Sequence, residues 1–151
     1  IDYAHEESGL QHLMDWAKTS KPKDAKIISL ICGQGGGRDV KKRPIMGEIA
    51  TKYSSNVVVS NDDVYDDDPQ QIINDIIAGC KKVRPSLKGI YNIEDRREGI
   101  RKCLQLAKKG DLVLITGKGV DTSMIIAGVK IPWNEQEVVE EELAKLKQKA
   151  R

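Results

Sequence analysis

Phenylalanine is absent from this 151-residue sequence, and aromatic residues make up only 4% of it. A core with so few rings must be built mostly from Ile, Val, Leu and Ala, and hydrophobic residues of all kinds account for 39% of the chain. This is enough for one compact core, but a chain of this length has no room for two. We therefore expect residues 1–151 to form a single domain.

The sequence also lacks an excess of charge of one sign. Its 25 Lys and Arg residues stand against 23 Asp and Glu residues, so the net charge is only +2, which argues against a nucleic-acid or membrane partner bound through bulk charge. No apolar run is long enough to cross a bilayer, and residues 1–5 lack the basic and apolar regions of a signal peptide. We expect a cytoplasmic protein that binds neither nucleic acid nor membrane.

Cysteine is scarce, with only Cys32, Cys80 and Cys103 in the chain. The three are widely spaced, form no C-x-x-C pair and have no cluster of histidines near them, so the sequence indicates neither a disulfide framework nor a structural zinc site. We expect buried free thiols and no metal bound by the chain itself.

Short apolar runs alternate with segments of helical periodicity along the whole chain. Residues 27–32 are typical of a strand covered on both faces. Further strands are predicted at 57–60, 88–93 and 112–116, a small hairpin at 124–126 and 129–131, and helices at 10–17 after a Ser8 cap, 44–53, 69–79, 93–109 and after an Asn134 cap, the last with Val138, Val139, Leu143 and Leu146 facing inward. This order predicts an α/β fold of the Rossmann-like, doubly wound kind, with a mostly parallel sheet, flanking helices and a small C-terminal β-hairpin.

Three loops follow the clearest strands and should meet at the carboxyl edge of the sheet. The first, residues 33–43, combines closely spaced glycines with four cations ahead of a helix N-terminus, which favours anion binding; the cations are Arg38, Lys41, Lys42 and Arg43. A flexible turn with a solvated basic face is the alternative. Neither G-x-G-x-x-G nor G-x-x-x-x-G-K-[ST] occurs, so the chain has no recognisable ATPase site of its own.

The second loop places five aspartates within residues 62–68, a charge that would attract an ammonium group or a divalent cation. The spacing does not fit an EF-hand, which needs a glycine at its sixth position. Asp66 is explained more simply as a helix cap, and Asp67 and Asp68 as carboxylates that favour a helix N-terminus. Asp62 and Asp63 are left as the ligand candidates.

The third loop, Gly117-Lys118-Gly119-Val120-Asp121, offers close approach of the backbone with one cation and one anion. Neither His5 nor His12 has the partners of a Ser-His-Asp or Cys-His set. We therefore expect neither of these catalytic sets on this chain.

Taken in order, these motifs resemble the C-terminal domain of the Mur ligase family, and most of all its UDP-N-acetylmuramoyl-tripeptide synthetases (MurE type). The resemblance covers nearly the whole chain. The residues that carry it are Asp2-Tyr3-Ala4-His5, Gly35-Gly36-Gly37-Arg38-Asp39 followed by Lys42-Arg43-Pro44-Ile45-Met46-Gly47, Ile93-Glu94-Asp95-Arg96 with Ala107-Lys108-Lys109-Gly110-Asp111, and Gly117-Lys118-Gly119.

The resemblance implies a three-domain ATP-dependent amide ligase of peptidoglycan precursor synthesis. ATP and Mg²⁺ are then cofactors of the full-length enzyme, held with the catalytic residues on the missing central domain, and this chain alone binds neither. The expected partners are an amino acid, UDP-N-acetylmuramoyl-dipeptide and the missing N-terminal and central domains, in a monomer. Ile1 in place of Met, just before a motif, agrees with an excised C-terminal domain.

The resemblance also implies roles for single residues. Arg38 matches the arginine that grips the carboxylate of the incoming amino acid, as a guanidinium can with two parallel bonds. Gly117 and Asp121 match residues that meet the same amino acid. Asp2, Tyr3 and His5 match the segment of the family that faces the nucleotide.

The positions at which this sequence departs from the family pattern bear mainly on which amino acid is added. Asp62-Asp63-Val64-Tyr65 stands where diaminopimelate-adding members have D-N-P-R, so Tyr65 replaces the arginine that holds the distal carboxylate. Gly37, Val120 and Asp121 depart as well. Loss of an arginine beside retained aspartates favours an amino acid with a distal ammonium, such as lysine or ornithine.

Two other interpretations stay open. The altered D-N-P-R segment permits a Mur-like domain that has lost ligase activity and serves as a binding or scaffold module. A related ligase of another polymer, such as a cyanophycin or polyglutamate synthetase, fits the motifs less well.

Overall fold

The computed structural model describes residues 1–149, which form five helices, a four-stranded sheet and a two-stranded hairpin. In chain order the elements are α1 (Glu7–Ser20), β1 (Ile27–Gly33), α2 (Lys42–Tyr53), β2 (Asn56–Asn61), α3 (Pro69–Val83), β3 (Ile90–Asn92), α4 (Arg96–Leu106), β4 (Leu112–Ile115), β5 (Ser123–Ile126), β6 (Val129–Pro132) and α5 (Glu135–Lys149). None of the helices within these residues is both long and apolar enough to cross a membrane.

The sheet has the strand order β3-β2-β1-β4, and all its neighbours are parallel. Helices α1, α2 and α3 pack on one face through a cluster that includes Leu10, Ile49 and Ile76. Helices α4 and α5 cover the other face through Ile100 and Val138. β1 is buried along its whole length, because it lies between two strands and two layers of helices. The predicted α/β fold, with its parallel sheet and C-terminal hairpin, is confirmed.

Helix α3 does not stop at Gly79, as the sequence predicted, but continues to Val83. The glycine is a packing position, because a Cβ on Gly79 would lie 1.8 Å from the carbonyl oxygen of Pro44 in α2. Gly47 is its counterpart, since a Cβ there would lie 2.1 Å from the Ile76 carbonyl oxygen. The two glycines let α2 and α3 pack backbone against backbone.

At the N-terminal ends of three helices, either the first residue or the cap differs from the prediction. Glu6, and not Ser8, occupies the N-cap position of α1. Helix α2 begins at Lys42, with Pro44 still in the first turn, where a missing N–H costs no hydrogen bond. Helix α3 is capped by Asp68, which accepts a 2.9 Å hydrogen bond from the Gln70 amide, so the predicted Asp66 cap is wrong.

Helix α4 is shorter than the predicted 93–109. It begins after Asp95, whose carboxylate accepts a hydrogen bond from the Glu98 amide at 2.8 Å. It ends at Leu106 because the chain turns there around Asp111, which accepts hydrogen bonds from the amides of Lys108 and Lys26.

Helix α5 is capped by Asn134 as predicted, with the Glu137 amide 3.2 Å from the Asn134 side-chain oxygen. Val138 faces the core, but Leu143 is 38% exposed, so its predicted inward orientation is wrong. Glu142 is buried in its place. Its carboxylate bonds Arg101 at 2.5 Å, Lys145 at 2.8 Å and Arg97 at 3.1 Å, and these bonds lower the pKa of Glu142 to about 2.

Gly79→Ala tests the close packing of α2 and α3. Alanine is favoured over glycine in a helix by about 1 kcal/mol, but here its methyl group meets the Pro44 carbonyl. We expect the free energy of unfolding to fall by about 1–3 kcal/mol, as for other overpacked cores. Denaturant unfolding measures the change. Asn74→Ala at an exposed position of α3 is the control and should not destabilise; a Gly79→Ala protein as stable as this control would contradict the packing.

Candidate functional site

The loops after β1, β2 and β4 meet at the carboxyl edge of the parallel sheet, as predicted. The strand order reverses beside β1, between β2 on one side and β4 on the other. A reversal of this kind opens a crevice at the carboxyl ends of the strands, where α/β domains bind ligands. The candidate site is therefore the edge formed by residues 34–41, 62–68 and 116–122.

Arg96, the first residue of α4, holds two strand ends together beneath this edge. Its guanidinium donates to the backbone carbonyl of Asn61 at 3.0 Å and to that of Thr116 at 2.8 Å. It also pairs with both oxygens of the Glu135 carboxylate, and both side chains are fully buried. Trp133 adds an indole hydrogen bond of 2.7 Å to the same carboxylate. Arg96 thus joins the ends of β2 and β4 to the start of α5.

Lys118 is the second buried cation of the edge, and its side chain is only 1% exposed. Its ammonium lies 3.4 Å from Asp62, 3.0 Å from Asp63 and 3.2 Å from Asp121. Burial disfavours the charged form, but the attraction of Asp62 and the hydrogen bond to Asp63 outweigh it and raise the pKa of Lys118 above its ordinary value. The ammonium therefore stays charged and links the second loop to the third.

Gly117 lets the chain turn sharply enough to bury the lysine that follows it. Its φ of 110° is a conformation that other residues rarely adopt, and a Cβ there would lie 2.3 Å from the Cys32 sulfur. Gly117 therefore has a structural reason to be glycine besides its predicted role toward the amino acid.

Asp62 is 1% exposed and belongs to the interior of the site. The Cys32 thiol, also buried, donates to it at 3.4 Å. Burial, with the charge of Asp62, raises the pKa of Cys32, so the thiol stays protonated as a donor. The two other carboxylates around Lys118 are open to solvent, with the side chain of Asp63 16% and that of Asp121 39% exposed. Of the three predicted acidic residues, Asp63 and Asp121 are the ones a ligand can reach.

The small hairpin holds the acidic loop in place. Asp63 accepts a 2.8 Å hydrogen bond from the Ile125 amide. The Tyr65 amide donates to the Ile125 carbonyl, and the Gly128 amide donates to the Tyr65 carbonyl, both at 3.1 Å. Tyr65 has a φ of 53° and lies with its ring against Gly36, where a Cβ would come within 2.7 Å of the ring. Hairpin and Gly36 together fix Tyr65 beside the first loop.

Arg38 is exposed on the first loop next to Tyr65. The neighbouring Tyr65 side chain raises the pKa of the Arg38 guanidinium above its ordinary value. The structure therefore brings Arg38 and Tyr65 together.

Two of the four cations that suggested an anion site in the first loop are buried and paired with carboxylates. Lys42 is buried against Glu6, and Arg43 is buried with bonds of 2.8 Å to Asp75 and 2.9 Å to the Gln34 carbonyl. Each is neutralised by a carboxylate that the local sequence does not reveal. Of the cations of this loop, Arg38 and Lys41 stay exposed.

The N-terminal segment runs alongside the third loop. The Asp2 amide donates to the Ile115 carbonyl at 2.9 Å, and the Gly117 amide donates to the Asp2 carbonyl at 3.1 Å. A cleft of about 440 Å³ lies there, lined among others by Asp2, Tyr3 and Asp121. His5 packs edge-on against Tyr3, with ring centroids 4.6 Å apart, and does not line this cleft.

Sequence reasoning missed the two cations that organise the edge. Arg96 and Lys118 both lie in motifs that were recognised, yet neither was assigned a role. Arg96 contacts Thr116, 20 residues away, and Lys118 contacts Asp63, 55 residues away. Asp121 is a local partner of Lys118, but its spacing does not reveal that the lysine is buried. Within residues 1–149 no group of three or more His, Cys, Asp or Glu side chains is placed to hold a metal ion.

Comparison with known proteins identifies the family. The model of the Mur ligase, glutamate ligase domain matches residues 1–119. The chain is 41% identical over 141 residues to a UDP-N-acetylmuramoyl-L-alanyl-D-glutamate–2,6-diaminopimelate ligase of Syntrophomonas wolfei, covering 93% of this chain and 28% of the relative. The enzyme of the same name from Clostridioides difficile is 38% identical over 97% of this chain and 29% of its own length.

Comparison with solved structures points to the same family. A structure of a ligase with this same name superposes with a TM-score of 0.81 at 28% identity, covering 95% of this chain and 28% of the other. A murein peptide ligase from Psychrobacter arcticus, with a TM-score of 0.60 and 15% identity over 95% of this chain and 26% of its own, shares the fold. The chain spans little more than a quarter of the length of the relatives it matches. On this evidence the chain belongs to the Mur ligase family, and it corresponds to the family's glutamate ligase domain.

Proposed function

We propose that residues 1–151 are the amino-acid-binding domain of an ATP-dependent ligase that adds the third amino acid to UDP-N-acetylmuramoyl-dipeptide. The observation that carries this proposal is the grouping of Arg38, Tyr65, Asp63 and Asp121 at the strand-order reversal of a Mur ligase domain. The named relatives are third-residue ligases, which supports the same reaction.

The role of this chain in the reaction would be to position the incoming amino acid. In such a ligase an acyl phosphate forms on the dipeptide, and the amine of the incoming amino acid attacks it. Arg38 would bind the carboxylate of that amino acid, with the Tyr65 side chain beside its guanidinium. A reactant held in this way reacts faster because its orientation is already set.

Nucleotide chemistry belongs to the rest of the full-length protein. ATP and Mg²⁺ would be held by the central domain, because this sequence contains no phosphate loop. Asp2, Tyr3 and His5 would face the nucleotide from the N-terminal side of the domain. Asp2 and Tyr3 share a cleft with Asp121, so the nucleotide-facing segment and the amino-acid site would be neighbours.

For the amino acid itself, we propose a diamino acid with a free distal ammonium, lysine or ornithine. Tyr65 cannot neutralise a distal carboxylate as an arginine would. Lys118 offsets one of the three carboxylates around it, so the cluster keeps a net negative charge. Asp63 and Asp121 are its exposed members and would accept the ammonium.

A non-catalytic Mur-like module remains the second candidate, because the Asp62–Tyr65 segment departs from D-N-P-R. The sequence of the full-length protein separates the two. A G-T-x-G-K-[ST] loop upstream favours the ligase, and its absence favours the module.

Arg38→Ala tests the carboxylate contact in the full-length enzyme. Loss of an oriented charged hydrogen bond costs about 1.5–3 kcal/mol, so we expect kcat/KM for the amino acid to fall by roughly tenfold or more while the KM for ATP stays unchanged. Steady-state kinetics with each substrate varied measures both. Lys41→Ala, which removes an exposed cation from the same loop, is the control. An equal loss in both variants, or none in Arg38→Ala, would remove Arg38 from the site.

Substrate choice is tested by giving the full-length enzyme ATP, UDP-N-acetylmuramoyl-dipeptide and an equimolar mixture of lysine, ornithine, diaminopimelate and alanine. We expect the product mass to be that of the lysine or ornithine adduct. Tyr65→Arg should raise the share of the diaminopimelate adduct, and Tyr65→Phe, which adds no charge, should not. Diaminopimelate or alanine used by the unmodified enzyme as fast as lysine would contradict the proposed substrate.

A further inference from the structure

Lys118 is one of several buried cations whose carboxylate partners reach solvent, as Lys42 and Arg43 also are, but its contacts join the second edge loop to the third. Its ammonium is buried, yet two of its three partners, Asp63 and Asp121, are open to solvent. The lysine therefore lies directly behind the carboxylates that a ligand would meet.

The bonds around Lys118 use one oxygen of each exposed carboxylate. Asp63 turns Oδ1 toward the ammonium and toward the Ile125 amide, and Asp121 turns Oδ2 toward it. Within the part of the chain that the structure describes, Asp63 Oδ2 and Asp121 Oδ1 accept no hydrogen bond. Each carboxylate thus keeps one oxygen available as an acceptor.

Lys118 also couples two loops that the sheet alone does not join. Asp63 follows β2, and Asp121 follows β4, on either side of the crevice. Two carboxylates on neighbouring loops repel each other, and a cation between them removes that repulsion. Without the cation, we expect the two loops to move apart.

We infer that Lys118 is a positioning residue for the amino-acid substrate: its buried ammonium sets the separation and orientation of Asp63 and Asp121, whose free oxygens receive the distal ammonium. The inference rests on the proposed function and deepens it. Lys118 does not touch the substrate, and it acts through the two carboxylates.

Glu142 provides the matched comparison. Its buried carboxylate pairs with Arg97, Arg101 and Lys145, so Glu142 is the centre of a second ion cluster. This cluster joins α4 to α5 and includes no residue of the three edge loops. Its loss should affect stability alone.

Lys118→Ala in the full-length enzyme tests the inference. We expect the KM for the amino acid to rise by roughly tenfold or more, as for loss of a charged contact, while the KM values for ATP and UDP-N-acetylmuramoyl-dipeptide stay within about twofold. Added n-propylammonium, which replaces the deleted part of the side chain, should restore the KM. The neutral 1-propanol, of similar size, should not, because the missing element is the charge.

Arg101→Ala is the control, and it should lower the melting temperature without changing the KM for the amino acid. An unchanged KM in folded Lys118→Ala, or rescue by 1-propanol as good as that by n-propylammonium, would overturn the inference. If Lys118→Ala does not fold, Lys118→Met keeps the apolar stem without the charge, and an unchanged KM in it would overturn the inference equally. An unmodified enzyme that forms no product would instead refute the proposed function.

Discussion

The buried pair between Arg96 and Glu135 is the interaction on which the rest of the edge depends. Arg96 is bonded to the last residue of β2 and to the residue after β4, and Glu135 brings the start of α5 to the same point. Charges buried in this way cost free energy on desolvation, and loss of one partner leaves the other uncompensated, typically at about 3–5 kcal/mol. The loops of the candidate site begin at the strand ends that this pair holds.

The domain uses buried ion clusters at several points of its interior where another protein would use large apolar side chains. Only 4% of its residues are aromatic, and its interior contains ion clusters centred on Arg96, Lys118 and Glu142. A fully satisfied polar network fixes one arrangement of its members more strictly than apolar contacts do. At the sheet edge a fixed arrangement of side chains serves the proposed function, because a reactant must be held in one orientation.

Much of the fold follows from local patterns in the sequence. The apolar run that became β1 and the turn at Gly128 are signals that neighbouring residues carry alone. The predicted helix end at Gly79 was wrong because this glycine packs against Pro44 in another helix, a contact that the local sequence does not show. The sequence places Lys118 beside Asp121, but the contact of Lys118 with Asp63, 55 residues away, has no local signal. Motif order placed Arg38 and Asp121 at one edge, but only the folded chain distinguishes the buried Asp62 from the partly exposed Asp63.

We propose that the amino acid binds at this edge of the sheet. A crystal structure of the full-length protein with UDP-N-acetylmuramoyl-dipeptide, a non-hydrolysable ATP analogue and lysine or ornithine would locate it. We expect the α-carboxylate of the amino acid on the Arg38 guanidinium and its distal ammonium between Asp63 and Asp121, with Lys118 still buried behind them. An amino acid bound away from Arg38, Asp63 and Asp121 would contradict the proposal.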